Sequence, residues 1–202
     1  MDDHDFERQL AAAKQGDEGA FVVLFRSVQP LLLRYLRTVG GPLAEDAAAE
    51  TWVSIVRGLD RFSGDETGWR AWVFTIGRAR LRDAQRKAAR TPVPVDVASV
   101  YAGVPDDVDV AAMVEEIFST EAALGVIGQL PPDQAEVVLL RHVAGLDVAR
   151  TAEVLGKRPG AVRVASHRGL KRLRGLLTPV PPTPDEPGPH EPCNGERHRI
   201  GY

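Results

Sequence analysis

The sequence predicts an all-α protein made of two small helical domains. Three observations lead there: apolar residues recur at three- and four-residue steps in both halves, strand-like alternation is almost absent, and breaker-rich stretches divide the chain. With 202 residues, 44% of them hydrophobic and 26% charged, the chain has material for one respectable core or two small ones.

In the first lobe, residues 5–90, Phe21, Leu24, Phe25, Val28, Leu32, Tyr35, Leu36 and Val39 follow the spacing of an amphipathic helix with one buried face. Asp17 suits its N-cap and Gly40-Gly41 its end, while Pro30 is expected to kink the helix or split it in two. A further helix is predicted over Pro42 to Leu59, with Leu43, Ala47, Val53, Ile55 and Val56 as its apolar material. Another begins near Asp65 or Glu66, carries Trp69, Trp72, Val73, Ile76 and Leu81, and ends in a polar, basic stretch.

Residues 91–118 read as a flexible linker, opened by Thr91-Pro92-Val93-Pro94 and interrupted again at Gly103 and Pro105. In the second lobe, residues 119–177, helical segments fit about Val110 to Gln129, Pro132 to Val143, Val148 to Leu155 and Pro159 to Leu177. The first of these begins in the linker. The last two, joined through Gly156 and reopened by Pro159 at a first-turn position, have the form of a helix-turn-helix. Residues 178–202 are rich in proline and poor in apolar side chains, a composition that cannot offset its own ordering entropy, so a disordered tail is expected.

The formal net charge of −3 hides a sorting of charge by segment. Between Trp69 and Arg90, Arg70, Arg78, Arg80, Arg82, Arg86, Lys87 and Arg90 face one acid, Asp83. Between Arg141 and Leu177 nine Lys and Arg residues are opposed by Asp147 and Glu153 alone. The stretch from Thr91 to Glu121 has seven acids and no Lys or Arg. Two basic modules flanking an acidic connector suggest contact with nucleic acid at two places.

A helix-turn-helix sets its second helix in the major groove. Here that helix and its lead-in supply Arg158, Arg163, Arg168, Lys171, Arg172 and Arg174, with Val162, Leu170, Leu173 and Leu177 as the expected inward face. In the first lobe Phe62, Trp69, Trp72 and Phe74 precede Arg78, Arg80, Arg86 and Lys87. Aromatic platforms beside cations suit unpaired bases. The spacing of Trp69, Trp72 and Ile76 suits a helix core equally well, so both readings of the tryptophans stand.

No phosphate-binding glycine loop, dinucleotide fingerprint, zinc-protease motif or nucleophile-base grouping is present, so neither catalysis nor a cofactor is expected. His190, Cys193 and His198 in the tail lack an evident fourth ligand, and no metal site is assigned to them. One cysteine excludes an internal disulfide and fits a reducing compartment. The acidic start lacks the pattern of a secretory signal, and the apolar runs are short for a membrane span, so a cytoplasmic protein without membrane insertion is expected.

Pro42 to Arg90, PLAEDAAAETWVSIVRGLDRFSGDETGWRAWVFTIGRARLRDAQRKAAR, resembles region 2 of bacterial sigma factors. Ala123 to Leu177, with its LPPDQAEVVLLRHVAGLDVARTAEVLG lead-in, resembles region 4. Nothing between them resembles region 3, and this points to the extracytoplasmic-function group. The resemblance implies a protein that binds core RNA polymerase and directs promoter-specific initiation without catalysing anything itself.

By that resemblance Asp46, Glu50, Thr51 and Trp52 make or support docking on the β′ clamp helices. Trp69, Trp72, Arg78, Arg80, Asp83, Arg86 and Lys87 fall on positions that hold the −10 strand. Arg158, Arg163, His167, Arg168, Lys171 and Arg172 would face the −35 duplex, beside a surface for the β-flap, and an anti-sigma factor is implied as a further partner. The chain departs from the family pattern at Ala49, Ala79 and Ala165, so promoter preference does not carry over. Two rival readings are a helix-turn-helix regulator of the LuxR type, which leaves Pro42 to Arg90 without a purpose, and a sigma-like decoy that binds another regulator.

Overall fold

A computed structural model of the chain describes residues 3–90 and 121–177. The acidic linker and the proline-rich tail, including His190, Cys193 and His198, lie outside the described residues.

Helix α1, Asp3–Lys14, was not foreseen. Phe6, Leu10 and Ala13, spaced by four and three residues, form its buried stripe and pack it on α2. Helix α2, Glu18–Gly40, starts where Asp17 Oδ1 accepts the Ala20 N–H at 2.9 Å and stops at Gly41, whose φ of 55° is cheap for glycine alone. Its buried stripe is Leu24, Val28, Leu32, Tyr35 and Leu36. The split anticipated at Pro30 does not occur, and the helix is continuous. Pro30 is exposed, which puts the break in the hydrogen-bond ladder toward water, while the opposite face stays packed.

A short 3₁₀ turn, Gly41–Leu43, leads into α3, Ala44–Gly58, and another, Leu59–Arg61, precedes α4, Glu66–Arg90. Asp65 Oδ1 accepts the Gly68 N–H at 2.6 Å and so begins α4. Gly77 lets α4 pass close to its neighbours, since a Cβ there would sit 2.7 Å from Leu32 Cδ1 and 3.6 Å from Thr51 Oγ1. Val53 and Val56, expected as apolar material of the bundle, are exposed instead. A window within Glu18 to Arg61 is apolar enough to pass a length-and-composition test for a membrane span. The fold interrupts that stretch at Gly41–Leu43 and places Leu24, Leu32, Leu36 and Ile55 in the protein core.

The second lobe comprises α5 (residues 121–128), α6 (Pro132–Val138), α7 (Val148–Leu155) and α8 (Pro159–Leu177). Helix α6 widens into a π turn over Leu139–Val143. Asp147 caps α7 by accepting the Arg150 N–H at 2.7 Å, and Gly156, in the left-handed region at φ 62°, turns the chain toward α8. Helix α8 lies so close to α6 that a Cβ on Gly169 would come within 2.8 Å of Val138. The inward face of α8 is therefore Val162, Ser166 and Gly169, with Leu173 partly covered. Leu170 and Leu177, expected inside, are exposed because the close approach at Gly169 turns their side of the helix outward.

The two lobes also touch each other. Helix α4 packs on α7, and α2 packs on α6 and the π turn, so buried residues from Phe6 to Val162 join in one connected cluster.

Candidate nucleic-acid interface

Helix α8 carries no acidic residue, and Val162 is fully buried, which fixes the rotation of the helix. Arg163, His167, Arg168, Lys171 and Arg172 are exposed along it, and Arg158 is exposed in the turn before it. Arg168, Lys171 and Arg172 converge beside Gln134 of α6. Lys157, in the same turn, instead donates to Asp133 at 2.7 Å and holds that carboxyl below its ordinary range by hydrogen bond and charge. The turn is tied back to its own lobe while six sequence-predicted side chains remain free to meet phosphates and base edges.

The structure separates the two tryptophans, Trp69 and Trp72, for which the sequence allows two readings. Trp69 is fully buried, packed against Phe62, Trp52 and Trp72 with ring centroids 5.4 to 6.5 Å away, so it supports the site and offers no face to a base. Trp72 is half-buried and stacks on Phe62 at 5.0 Å with an interplanar angle of 24°. The two rings line a cleft of about 400 Å³ with Arg61, Gly64, Ala71 and Thr75. Arg150 and Glu153 of α7 close its other side.

The basic residues of α4 also divide. Arg80, Arg86 and Lys87 are exposed. Arg80 donates to Ser54 Oγ at 3.1 Å, and Arg86 pairs with Asp83. Arg78, predicted to meet DNA, is buried instead. Its Nε and Nη2 reach the two carboxylate oxygens of Glu136 on α6 at 2.9 and 3.1 Å, and the Tyr35 hydroxyl donates to the same carboxylate at 3.0 Å. Burial pulls the Arg78 pKa down, but the hydrogen bonds and charge of Glu136 prevail and raise it, so the guanidinium is firmly cationic. Burial first, then the Glu136 charge, pushes the Tyr35 hydroxyl far above the usual tyrosine range and keeps it a donor.

On α3, Asp46 and Glu50 are exposed. Thr51 is fully buried with its hydroxyl donating to the Ala47 carbonyl at 2.6 Å, so it cannot be a contact. Trp52, 9% exposed, donates from Nε1 to Gln29 Oε1 at 2.5 Å and packs on Phe25 at 4.7 Å. Thr51 and Trp52 therefore brace the acidic face that Asp46 and Glu50 present.

Sequence reasoning missed Glu136, an acid set among the apolar residues Ala135, Val137 and Val138, whose partners lie 58 and 101 positions away. Its sole signal was a charge in a strongly apolar stretch. Arg150 was counted among the basic residues of its zone without a place in the site. Among the described residues no cluster of His, Cys, Asp or Glu could hold a metal ion.

Residues 24–91 match the family description "Sigma-70 region 2" and residues 120–173 match "Sigma-70, region 4". The ECF RNA polymerase sigma factor ShbA of Streptomyces griseus is 35% identical over 173 residues, covering 81% of this chain and 91% of ShbA. The chain belongs to the sigma-70 family, in its extracytoplasmic-function (ECF) branch. Two solved structures share the fold of this sigma factor. CnrH of Cupriavidus metallidurans, in complex with the cytosolic domain of CnrY, matches with a TM-score of 0.57 at 24% identity, over 86% of this chain and 97% of that one. The sigma factor RpoE, in complex with the anti-sigma factor NepR from Bartonella quintana, matches with 0.56 at 22%, over 78% and 96%. In this ECF sigma factor the exposed cations of α8 thus lie in region 4, and the aromatic wall of the cleft in region 2.

Proposed function

We propose that this ECF sigma factor binds core RNA polymerase through the Asp46 and Glu50 face of α3, holds an unpaired promoter base against Trp72 and Phe62, and reads a duplex element with α8. The observation that carries the reading is α8 itself: Val162, Ser166 and Gly169 pin one side to the lobe while Arg158, Arg163, His167, Arg168, Lys171 and Arg172 face water. Arg80, Arg86 and Lys87, further along α4, supply backbone contacts, while Trp69 supports the cleft and Thr51 and Trp52 support the acidic face. The acids of α3 complement basic groups on a partner. RNA synthesis itself belongs to the polymerase.

An anti-sigma factor is the proposed regulatory partner. Support comes from the relative of known structure that carries one. The test is run-off transcription from genomic fragments with purified core polymerase and the full chain. Discrete promoter-dependent transcripts are expected. A chain that fails to associate with core polymerase at any salt concentration overturns the reading, and association without transcripts favours the decoy.

A further inference from the structure

We infer that Glu136 is a built-in latch: by holding Arg78 and Tyr35 it keeps region 4 folded onto region 2, so that the free chain is closed and must open to engage a promoter. The inference rests on the two-element reading of the promoter given above. Elements named −10 and −35 lie about 25 base pairs apart, or about 85 Å of duplex at ~3.4 Å per pair. In the closed chain α4 packs on α7 and α7 packs on α8. At about 10 Å per helix layer, α8 is only about 20 Å from α4. The two reading surfaces cannot both be seated while this packing persists.

The interface has the composition of a reversible contact. Its centre is the ion pair of Arg78 with Glu136, their side chains 8% and 12% exposed, completed by the Tyr35 hydroxyl. Around it, Arg150 faces Asp65 at 3.9 Å, a Cβ on Gly145 would lie 3.4 Å from Arg70 Nη1, and a Cβ on Gly128 would lie 3.8 Å from Thr38. Both charges regain full hydration when the lobes part, which an apolar interface would not allow. Closure also sets Arg150 and Glu153 across the cleft lined by Phe62 and Trp72, so the proposed base pocket is narrowed by the same movement that seats the latch. Arg78 has two mutually exclusive uses: a carboxylate in the closed chain, a phosphate in the open one.

The test compares the full chain with Glu136→Gln and Tyr35→Phe by small-angle X-ray scattering, by circular dichroism, and by promoter binding and run-off transcription with core polymerase. Glu136→Gln leaves Arg78 without a counter-charge in the closed form. It should enlarge the radius of gyration at unchanged helicity and tighten apparent promoter affinity by up to about tenfold if the open fraction rises from about a tenth toward unity. Tyr35→Phe, which removes one hydroxyl from a ring that still packs on Phe74, should give a smaller shift in the same direction. If both variants match the parent in scattering and affinity, the latch is overturned. Should Glu136→Gln lose helicity, Tyr35→Phe decides by the same criterion. Expansion with unchanged affinity and transcription overturns the link between closure and promoter engagement. Absence of transcripts from parent and variants alike counts against the proposed function, while scattering still reads the latch.

Discussion

Arg78 of α4 and Glu136 of α6 meet in a two-pronged ion pair at 2.9 and 3.1 Å, and the Tyr35 hydroxyl completes the ring of donors. Removing one member leaves the other charged and dry, a loss of about 3–5 kcal/mol from the closed form, whereas replacing both with apolar side chains of similar volume is often neutral or stabilising by about 1–4 kcal/mol. The double variant Arg78→Met, Glu136→Leu is therefore expected to stay compact, with a denaturation midpoint at or above that of the parent. Scattering and urea titration check it.

Two glycines of α8 should respond oppositely to alanine. At Gly169 the new methyl would press on Val138 at 2.8 Å, and overpacking of this kind costs about 1–3 kcal/mol. At Gly160 nothing lies within 4 Å and the backbone is helical, so alanine should stabilise by about 0.4–1 kcal/mol through the unfolded chain. Thermal unfolding of Gly169→Ala and Gly160→Ala should move to opposite sides of the parent.

Asp17 satisfies one of the unpaired donors at the start of α2. Asp17→Ala should lower stability by about 1 kcal/mol, while Asp17→Ser should retain most of it. The midpoint of urea unfolding distinguishes the two.

Salt dependence should sort the cations of α8. Under the proposed function, alanine at Lys171 or Arg172 is expected to weaken duplex binding for all sequences alike and to reduce the salt slope by about 1. By the same proposal, alanine at Arg163, nearer the start of α8, should instead relax preference at one position, by about 1–3 kcal/mol of discrimination. Titrations of specific and scrambled duplexes at several salt concentrations separate these outcomes.

His142, in the π turn 3.5 Å from the Ser166 hydroxyl, has its pKa lowered by burial and then by Arg141. The unfolded chain takes up this proton first, so the contribution of the neutral ring is complete above the unfolded value of about 6.5 and is lost as pH falls through the lower folded value. The slope should be shallow, because the residue keeps much of its contact with water. His142→Asn should flatten it, as followed by thermal unfolding between neutral and mildly acidic pH.

Helix boundaries were legible wherever a local device sets them: the Asp17 cap, Gly40-Gly41, Asp65, the Gly156 turn and Pro159 all act through neighbours a few residues away. So was the outward basic row of α8, because one-sided charge needs no partner to be seen. Helix α1 escaped because Phe6, Leu10 and Ala13 make a short stripe among charged residues. The side of α8 that faces inward was misjudged at Leu170 and Leu177, since hydrophobicity says nothing about a close approach such as Gly169 makes. The charge of its helix and the family resemblance both place Arg78 at DNA. Its partner is 58 residues away, and no local pattern encodes a pairing of that range.

All three tryptophans, Trp52, Trp69 and Trp72, lie in the first lobe, and Trp72 lines the same cleft as Arg150 and Glu153 from the other half. Intrinsic indole fluorescence thus reports on the first lobe and on the wall of the cleft that α7 provides, and its emission should change when α7 lifts away. The molecule carries its own optical gauge of the parting of the lobes, and no attached dye is needed to follow it.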